Sequence, residues 1–166
     1  MTAVEEHRAH APQRVACGVI TISDSRTEAT DESGDLMKRI VEGAGHKVAF
    51  YAIVKDDGPS ILDAIDRAEP TCDVILTNGG TGLSSRDVTI ETIGSRFEKV
   101  LPGFGELFRM LSFSKVGSAS MMSRALAGVY RGCLVFCLPG SPQACELALT
   151  SLILPELGHA VGVMRR

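Results

Sequence analysis

Val74-Ile-Leu-Thr-Asn-Gly-Gly-Thr-Gly-Leu-Ser-Ser-Arg-Asp-Val-Thr-Ile-Glu-Thr92 is the stretch on which the fold turns. Its first residues, Val74 to Leu76, are a short branched apolar run of the kind that forms a buried strand. The run breaks into Asn78-Gly79-Gly80-Thr81-Gly82, where glycines permit a sharp turn with positive φ and let a ligand approach backbone N–H groups. Arg86-Asp87 follow, ahead of a helix start near Thr89 that lacks strict capping-box spacing. Strand, glycine turn and helix are how an α/β domain builds an anion or nucleotide site at the carboxyl end of its sheet. No Gly-Lys-Ser/Thr follows the glycines, so this is not a P-loop. Gly80-x-Gly82-x-x ends on Ser85 with no suitable acid about 20 residues further on, so it is not the dinucleotide fingerprint either. Spacing alone leaves two readings open. The turn is either a tight strand-to-helix connection, or a phosphate cradle beside which Arg86 and Asp87 supply charge neutralisation and metal binding.

The same alternation extends to both sides. Arg14 to Ser23 reads as a strand ending in Thr21-Ile-Ser-Asp-Ser-Arg26. Ser23, Asp24 and Ser25 thus gather where open α/β sheets bind ligands, although turn and capping chemistry is the simpler account of them. Asp31-Glu-Ser-Gly34 starts a helix, with Leu36, Met37, Ile40, Val41 and Ala44 at helical spacing. His46 to Val54 is a second strand, running into Lys55-Asp56-Asp57-Gly58. The adjacent acids suit Mg²⁺ binding or base chemistry, and equally an N-cap ahead of Pro59. Ile61, Leu62, Ile65 and Ala68 form the next apolar stripe, which Pro70 ends. Glu106 to Phe113 reads as a helix, Ser114 to Ser120 as a loop, and Gly132 to Leu138 as a strongly apolar strand. A second glycine turn, Pro139-Gly140-Ser141-Pro142, opens a last helix that Pro155 bends or breaks. Alternating strands and helices of these lengths predict an α/β fold, a three-layer sandwich around a mostly parallel sheet.

A chain of 166 residues predicts one domain, here residues 14–166, behind a flexible polar tail over residues 1–13. A formal charge of −3 gives no electrostatic case for nucleic acid or an anionic membrane surface. No apolar run reads as reaching membrane-spanning length, and the first residues carry no apolar signal region. The cysteines, Cys17, Cys72, Cys133, Cys137 and Cys145, are odd in number and lack framework spacing, which points to reduced thiols and a cytoplasmic protein. Cys133 and Cys137 would share one strand face as small core residues.

Several ordered segments together resemble the MoaB/Mog domain of molybdenum cofactor biosynthesis, a molybdopterin-binding fold. They are Ile22-Ser-Asp-Ser-Arg26, Asp31-x-Ser-Gly34, Thr77-Asn-Gly-Gly-Thr-Gly82 with Arg86-Asp-Val-Thr89, Pro102-Gly-Phe-Gly-Glu106, Ser123-Arg124 with Ala127-Gly128, and Leu138-Pro-Gly-Ser-Pro142. The segment from Gly103 to Val129 looks closer to MoaB than to MogA proteins. The resemblance implies Mg²⁺- and ATP-dependent adenylylation of molybdopterin with release of pyrophosphate, the product passing to a MoeA-like molybdate-insertion partner. It assigns Asp56 and Asp87 to catalysis and Mg²⁺ positioning. It assigns Gly79, Gly80, Thr81 and Gly82 to the nucleotide phosphates. Ser23, Asp24, Ser123, Arg124, Pro139, Gly140 and Ser141 would line the nucleotide and pterin pockets. Family analogy adds a homotrimer or a hexamer. Lys55 stands where the family pattern has proline, placed to form a local ion pair with Asp56 and compete with Mg²⁺. The alternative function is a MoaB-like paralogue that holds a pterin, a nucleotide or a protein partner without turnover.

Overall fold

The alternation resolves into one six-stranded sheet in a computed structural model that describes all residues, Met1–Arg166. The strands are β1 (Ala16–Ile22), β2 (Lys47–Val54), β3 (Val74–Asn78), β4 (Lys99–Val100), β5 (Leu126–Tyr130) and β6 (Cys133–Leu138). Their order across the sheet is β2-β1-β3-β6-β5-β4. The first four in that order pair in parallel; β5 and β4 run antiparallel at one edge. The helices are α1 (Ala3–Ala9), α2 (Glu32–Gly43), α3 (Gly58–Ala68), α4 (Thr89–Gly94), α5 (Pro102–Val116), α6 (Pro142–Ala148) and α7 (Leu154–Met164).

Helices cover both faces, and the central strands accordingly read as continuous apolar runs. Val74, Leu76, Leu134, Phe136 and Leu138 point to one side, where Met37 of α2, Phe104 and Phe108 of α5, and Leu157 of α7 meet them. Ile20, Ile22, Ile75, Val135 and Cys137 point to the other, against Ile61 and Ile65 of α3 and Ile93 of α4. Cys133 and Cys137 do share that second face as free, buried thiols. The β5–β6 hairpin turns through Arg131 (φ 45°) and Gly132 (φ 76°), the left-handed pair that matches strand twist in a two-residue turn.

Four expectations change. Residues of the expected flexible tail form α1, whose Thr2 and Glu5 make a complete capping box and whose Arg8 pairs with Glu156 of α7. Thr2-x-x-Glu5 was a legible signal for that start. The helix expected over Glu106 to Phe113 begins earlier, at Pro102, and ends later, at Val116. Proline suits a first helical turn because the missing N–H would have no partner there. The expected loop from Ser114 is the end of this helix followed by a 3-10 turn, Gly117–Met122. Finally, Pro155 does not break the last helix. A π-helical turn, Leu149–Ile153, precedes it and carries α6 into α7. The joined run Pro142–Met164 is 23 residues, long and apolar enough by length and composition to cross a membrane. The sequence reading missed it, because Gln143, Glu146, Glu156 and His159 break its apolar residues into short stretches. Here its Cys145, Ala148, Leu149, Ile153, Leu157 and Val161 are buried in the core.

Candidate functional site

The carboxyl ends of β1, β2, β3 and β6 lie side by side, so the loops that follow them meet at one edge. Ser123 and Arg124 reach the same edge from the other direction, because antiparallel β5 starts opposite the end of β6 (Leu126 beside Cys137). The loops that carry the expected site residues therefore meet at one edge of the sheet.

The first glycine turn is held in a left-handed conformation, with φ of 100° at Gly79 and 68° at Gly80. A Cβ at Gly79 would sit 2.2 Å from the Ile22 carbonyl, and one at Gly80 would sit 2.2 Å from Thr89 Oγ1 and 2.9 Å from Asp56 Oδ1. At Gly82 the added carbon would meet Asp87 Oδ2 at 2.7 Å. The glycines are thus what lets two carboxylates and a threonine close on the turn. Thr89 does not cap α4, whose N-cap Val88 makes no side-chain bond. It staples the turn instead: its hydroxyl donates to Gly79 O at 2.9 Å and its N–H to Gly80 O at 3.1 Å. Gly79 N–H donates to Leu138 O across to the second turn. The N–H groups of Gly80, Thr81 and Gly82 donate to no backbone acceptor.

The paired acids after β2 separate into two roles. Asp57 is the N-cap of α3, accepting from Ser60 N–H at 2.8 Å. Asp56 faces the turn, and its buried Oδ1 has no hydrogen-bond partner. Burial first, then the neighbouring Asp87 carboxylate, pushes the Asp56 carboxyl above its ordinary range. Asp87 accepts from Ser84 N–H at 3.1 Å. Asp24 accepts from Asp56 N–H at 3.1 Å and pairs with Arg86, and both contacts, in that order, hold its carboxyl low. The expected Lys55–Asp56 ion pair does not form. Lys55 is exposed, and its charge acts on Asp24.

Two hollows flank the turn. A groove of about 550 Å³ is lined by Asp56, Arg86, Glu91 and the start of α3. A hollow of about 360 Å³ brings Ser123, Pro139 and Ser141 beside Lys115 and the apolar Phe108 and Leu147. Ser141 also caps α6 by accepting from Ala144 N–H at 3.2 Å. The Ser23 hydroxyl closes its own turn, accepting from Arg26 N–H at 3.1 Å, as the simpler sequence reading held.

Arg124, expected in a ligand pocket, is engaged within the protein. Nε donates to Thr81 O at 3.1 Å and one terminal nitrogen to Gly82 O at 2.6 Å, while the fork pairs with Glu91. Arg109 braces the segment behind it, donating to Ser123 O at 3.3 Å and Ala125 O at 3.1 Å. Reading along the chain missed Glu91, Arg109 and a buried network through Thr21, Asp31, Tyr51 and Asn78. Thr21, Asp31, Asn78 and Glu91 stood in quoted stretches without a bonding role assigned to them, and Arg109 and Tyr51 in none.

The donor set fits a divalent cation in part. The orphaned Oδ1 of Asp56 is a hard oxygen awaiting a partner. No three carboxylate, imidazole or thiol groups converge on one point, so phosphate oxygens and water would complete the shell.

A family model described as "Probable molybdopterin binding domain" matches residues 18–159. A Bacillus subtilis protein named molybdenum cofactor biosynthesis protein B is 51% identical over 170 residues, covering 98% of each chain. A crystal structure of a molybdenum cofactor biosynthesis protein B superposes with a TM-score of 0.90 at 49% identity, covering 95% of this chain and 99% of that one. The tungsten cofactor synthesizing protein MoaB of Pyrococcus furiosus gives 0.85 at 40% identity, covering 94% and 100%. With the fold, the glycine turn and these relatives in agreement, the chain belongs to the MoaB/Mog family of molybdenum cofactor biosynthesis proteins.

Proposed function

We propose that this protein is a molybdopterin adenylyltransferase that uses ATP and Mg²⁺. The observation that carries the reading is the unpartnered, buried Oδ1 of Asp56 beside a turn whose Gly80, Thr81 and Gly82 N–H groups remain available. In the reaction, a terminal phosphate oxygen of molybdopterin attacks the α-phosphorus of ATP. The bond from that phosphorus to the β-bridging oxygen breaks, and pyrophosphate leaves. Several negative charges meet, so the site must supply donors and positive charge. Asp56 and Asp87 would hold Mg²⁺, which would supply charge neutralisation on the phosphates. The turn N–H groups donate to phosphate oxygens, and Arg86 reorients from Asp24 toward them. Arg124 and Thr89 hold the turn's carbonyls so that its N–H groups stay aimed outward. We assign the polar groove at Asp56 to the polyphosphate and the half-apolar hollow at Ser123, Pro139 and Ser141 to a flat ring.

The family analogy of a trimer or hexamer finds support in an exposed apolar face. Met110, Phe113 and Val116 of α5 and Met121 beyond it are 58–78% exposed. A MoeA-like partner would take the product.

One observation favours the binding paralogue. Both arginines at the turn are already paired within the protein, Arg86 with Asp24 and Arg124 with Glu91. Pyrophosphate release from ATP and Mg²⁺, with and without molybdopterin, separates the readings. Molybdopterin-dependent release that Asp56→Asn and Asp87→Asn both lose supports the enzyme. A folded wild type that binds molybdopterin and releases none supports the paralogue.

A further inference from the structure

The two glycine turns touch each other directly through little more than Gly79 N–H donating to Leu138 O and the approach of Gly140 to Gly79. A third element reaches both. Asp31, at the N-cap of α2, is 1% exposed and accepts hydrogen bonds from three places. Gly34 N–H donates to Oδ1 at 3.0 Å, as in an ordinary cap. Thr21 O–H on β1 and Tyr51 O–H on β2 donate to Oδ2 at 2.7 and 2.6 Å. Thr21 Oγ1 then accepts from Asn78 Nδ2 at 2.9 Å, and Asn78 is the residue that leads into Gly79. The carboxylate can only accept, so Thr21 must donate to it and turn its lone pairs to Asn78. Two residues on from Asp31 in the same turn, Ser33 is fully buried and donates to Gly140 O of the second glycine turn at 2.6 Å. A serine inside the first turn of a helix ordinarily bonds its own backbone; this one bonds outward.

We propose that the first turn of α2 is a clasp that sets the two glycine turns against each other, making Asp31 and Ser33 positioning residues of the site. What the clasp positions rests on the adenylyltransferase reading; the clasp itself does not. A cap alone would need only the Gly34 bond. Beyond the Tyr51 bond to β2, the remaining contacts run from one buried turn to both glycine loops, through Thr21 to Asn78 and through Ser33 to Gly140.

The test compares Ser33→Ala and Asp31→Asn with Tyr51→Phe, which removes a buried bond to Asp31 while leaving both routes to the turns intact. Hydrogen exchange is measured on peptides covering residues 77–82 and 138–144, alongside Tm, steady-state pyrophosphate release and molybdopterin binding. Ser33→Ala and Tyr51→Phe should lower Tm to a similar extent. Only the clasp variants should speed exchange in the turns, by about fivefold, the scale of one neutral hydrogen bond. Ser33→Ala should raise KM for molybdopterin by about the same factor while kcat stays within about twofold. Wild-type exchange in both turns of folded Ser33→Ala overturns the proposal, as does equal acceleration by Tyr51→Phe. Faster exchange with an unchanged KM, or with an unchanged molybdopterin Kd where there is no turnover, overturns it too. If Asp31→Asn fails to fold, Ser33→Ala decides. If the wild type releases no pyrophosphate, the adenylyltransferase reading falls, and exchange and binding still judge the clasp.

Discussion

Asp56→Asn should stabilise the metal-free protein while abolishing its activity. The Asp56 Oδ1 atom is buried without a partner, and its carboxylate faces Asp87 and Asp24. A buried acceptor left unsatisfied costs about 1–3 kcal/mol. Asp56 as a whole keeps some solvent contact, so the lower end applies, about 1 kcal/mol. A neutral amide still leaves a polar atom unpartnered there, but it ends the repulsion from Asp87 and removes the added cost of burying a charge, and about 1 kcal/mol is the gain taken. For a chain of this length about 1 kcal/mol raises Tm by about 2–4 °C. The sign with pH follows from the shift. Burial and Asp87 raise the folded carboxyl above its unfolded value, so the protonated form favours the fold. Wild-type stability from this group is fully present below the ordinary carboxylate range and is lost as pH rises through the raised pKa. The variant's advantage is therefore complete at pH 7–8 and shrinks in acid. Thermal unfolding in EDTA across that range, by circular dichroism, measures it. An Asp56→Asn Tm equal to or below wild type at neutral pH would refute the reasoning, and so would an advantage that ignores pH. Added Mg²⁺ with ATP should raise the wild-type Tm and leave the variant unmoved.

Gly79→Ala should cost about 2–5 kcal/mol, from a left-handed backbone and a Cβ driven into an immovable carbonyl. The Ile22 oxygen would lie 2.2 Å away, and a wild-type Tm by differential scanning fluorimetry would contradict this. Arg124→Lys keeps the charge but loses the planar fork that serves Thr81 O, Gly82 O and Glu91 together. Molybdopterin-dependent pyrophosphate release should fall at least about tenfold; an unchanged rate would mean that only the charge matters. Phe113→Glu with Met110→Glu places charges on residues that are 61% and 62% exposed, so light scattering should report a smaller assembly than wild type. Equal masses would remove that face from any subunit contact.

Local chemistry made much of this molecule legible in its sequence. Branched apolar runs marked Val74–Asn78 and Cys133–Leu138 as buried strands, and Gly79-Gly80 announced a turn that only glycine adopts without strain. The motifs collected at strand ends were read as neighbours because parallel strands must place their carboxyl ends together. Other features were not legible, because their causes are contacts between distant residues. Nothing in the spacing of Asp56-Asp57 said which acid would cap a helix and which would be left unpartnered at the turn; the packing of α3 against the sheet chose. Lys55 lies next to Asp56 in sequence yet its charge acts on Asp24, since adjacent side chains leave a chain in different directions.

Arg124 shows the division most plainly. Residue type and motif said that a guanidinium stands at the site. Only the antiparallel register of β5 against β6 brings it across 42 residues of sequence to Gly82. There it meets carbonyls that the turn cannot bond to itself, and it holds the turn. The order of apolar, glycine and acidic residues thus determines the elements and the edge at which they converge. The partner each polar group finds at that edge is decided by the tertiary structure. A hydrogen bond depends on separations of about 3 Å and on direction, and folding sets both.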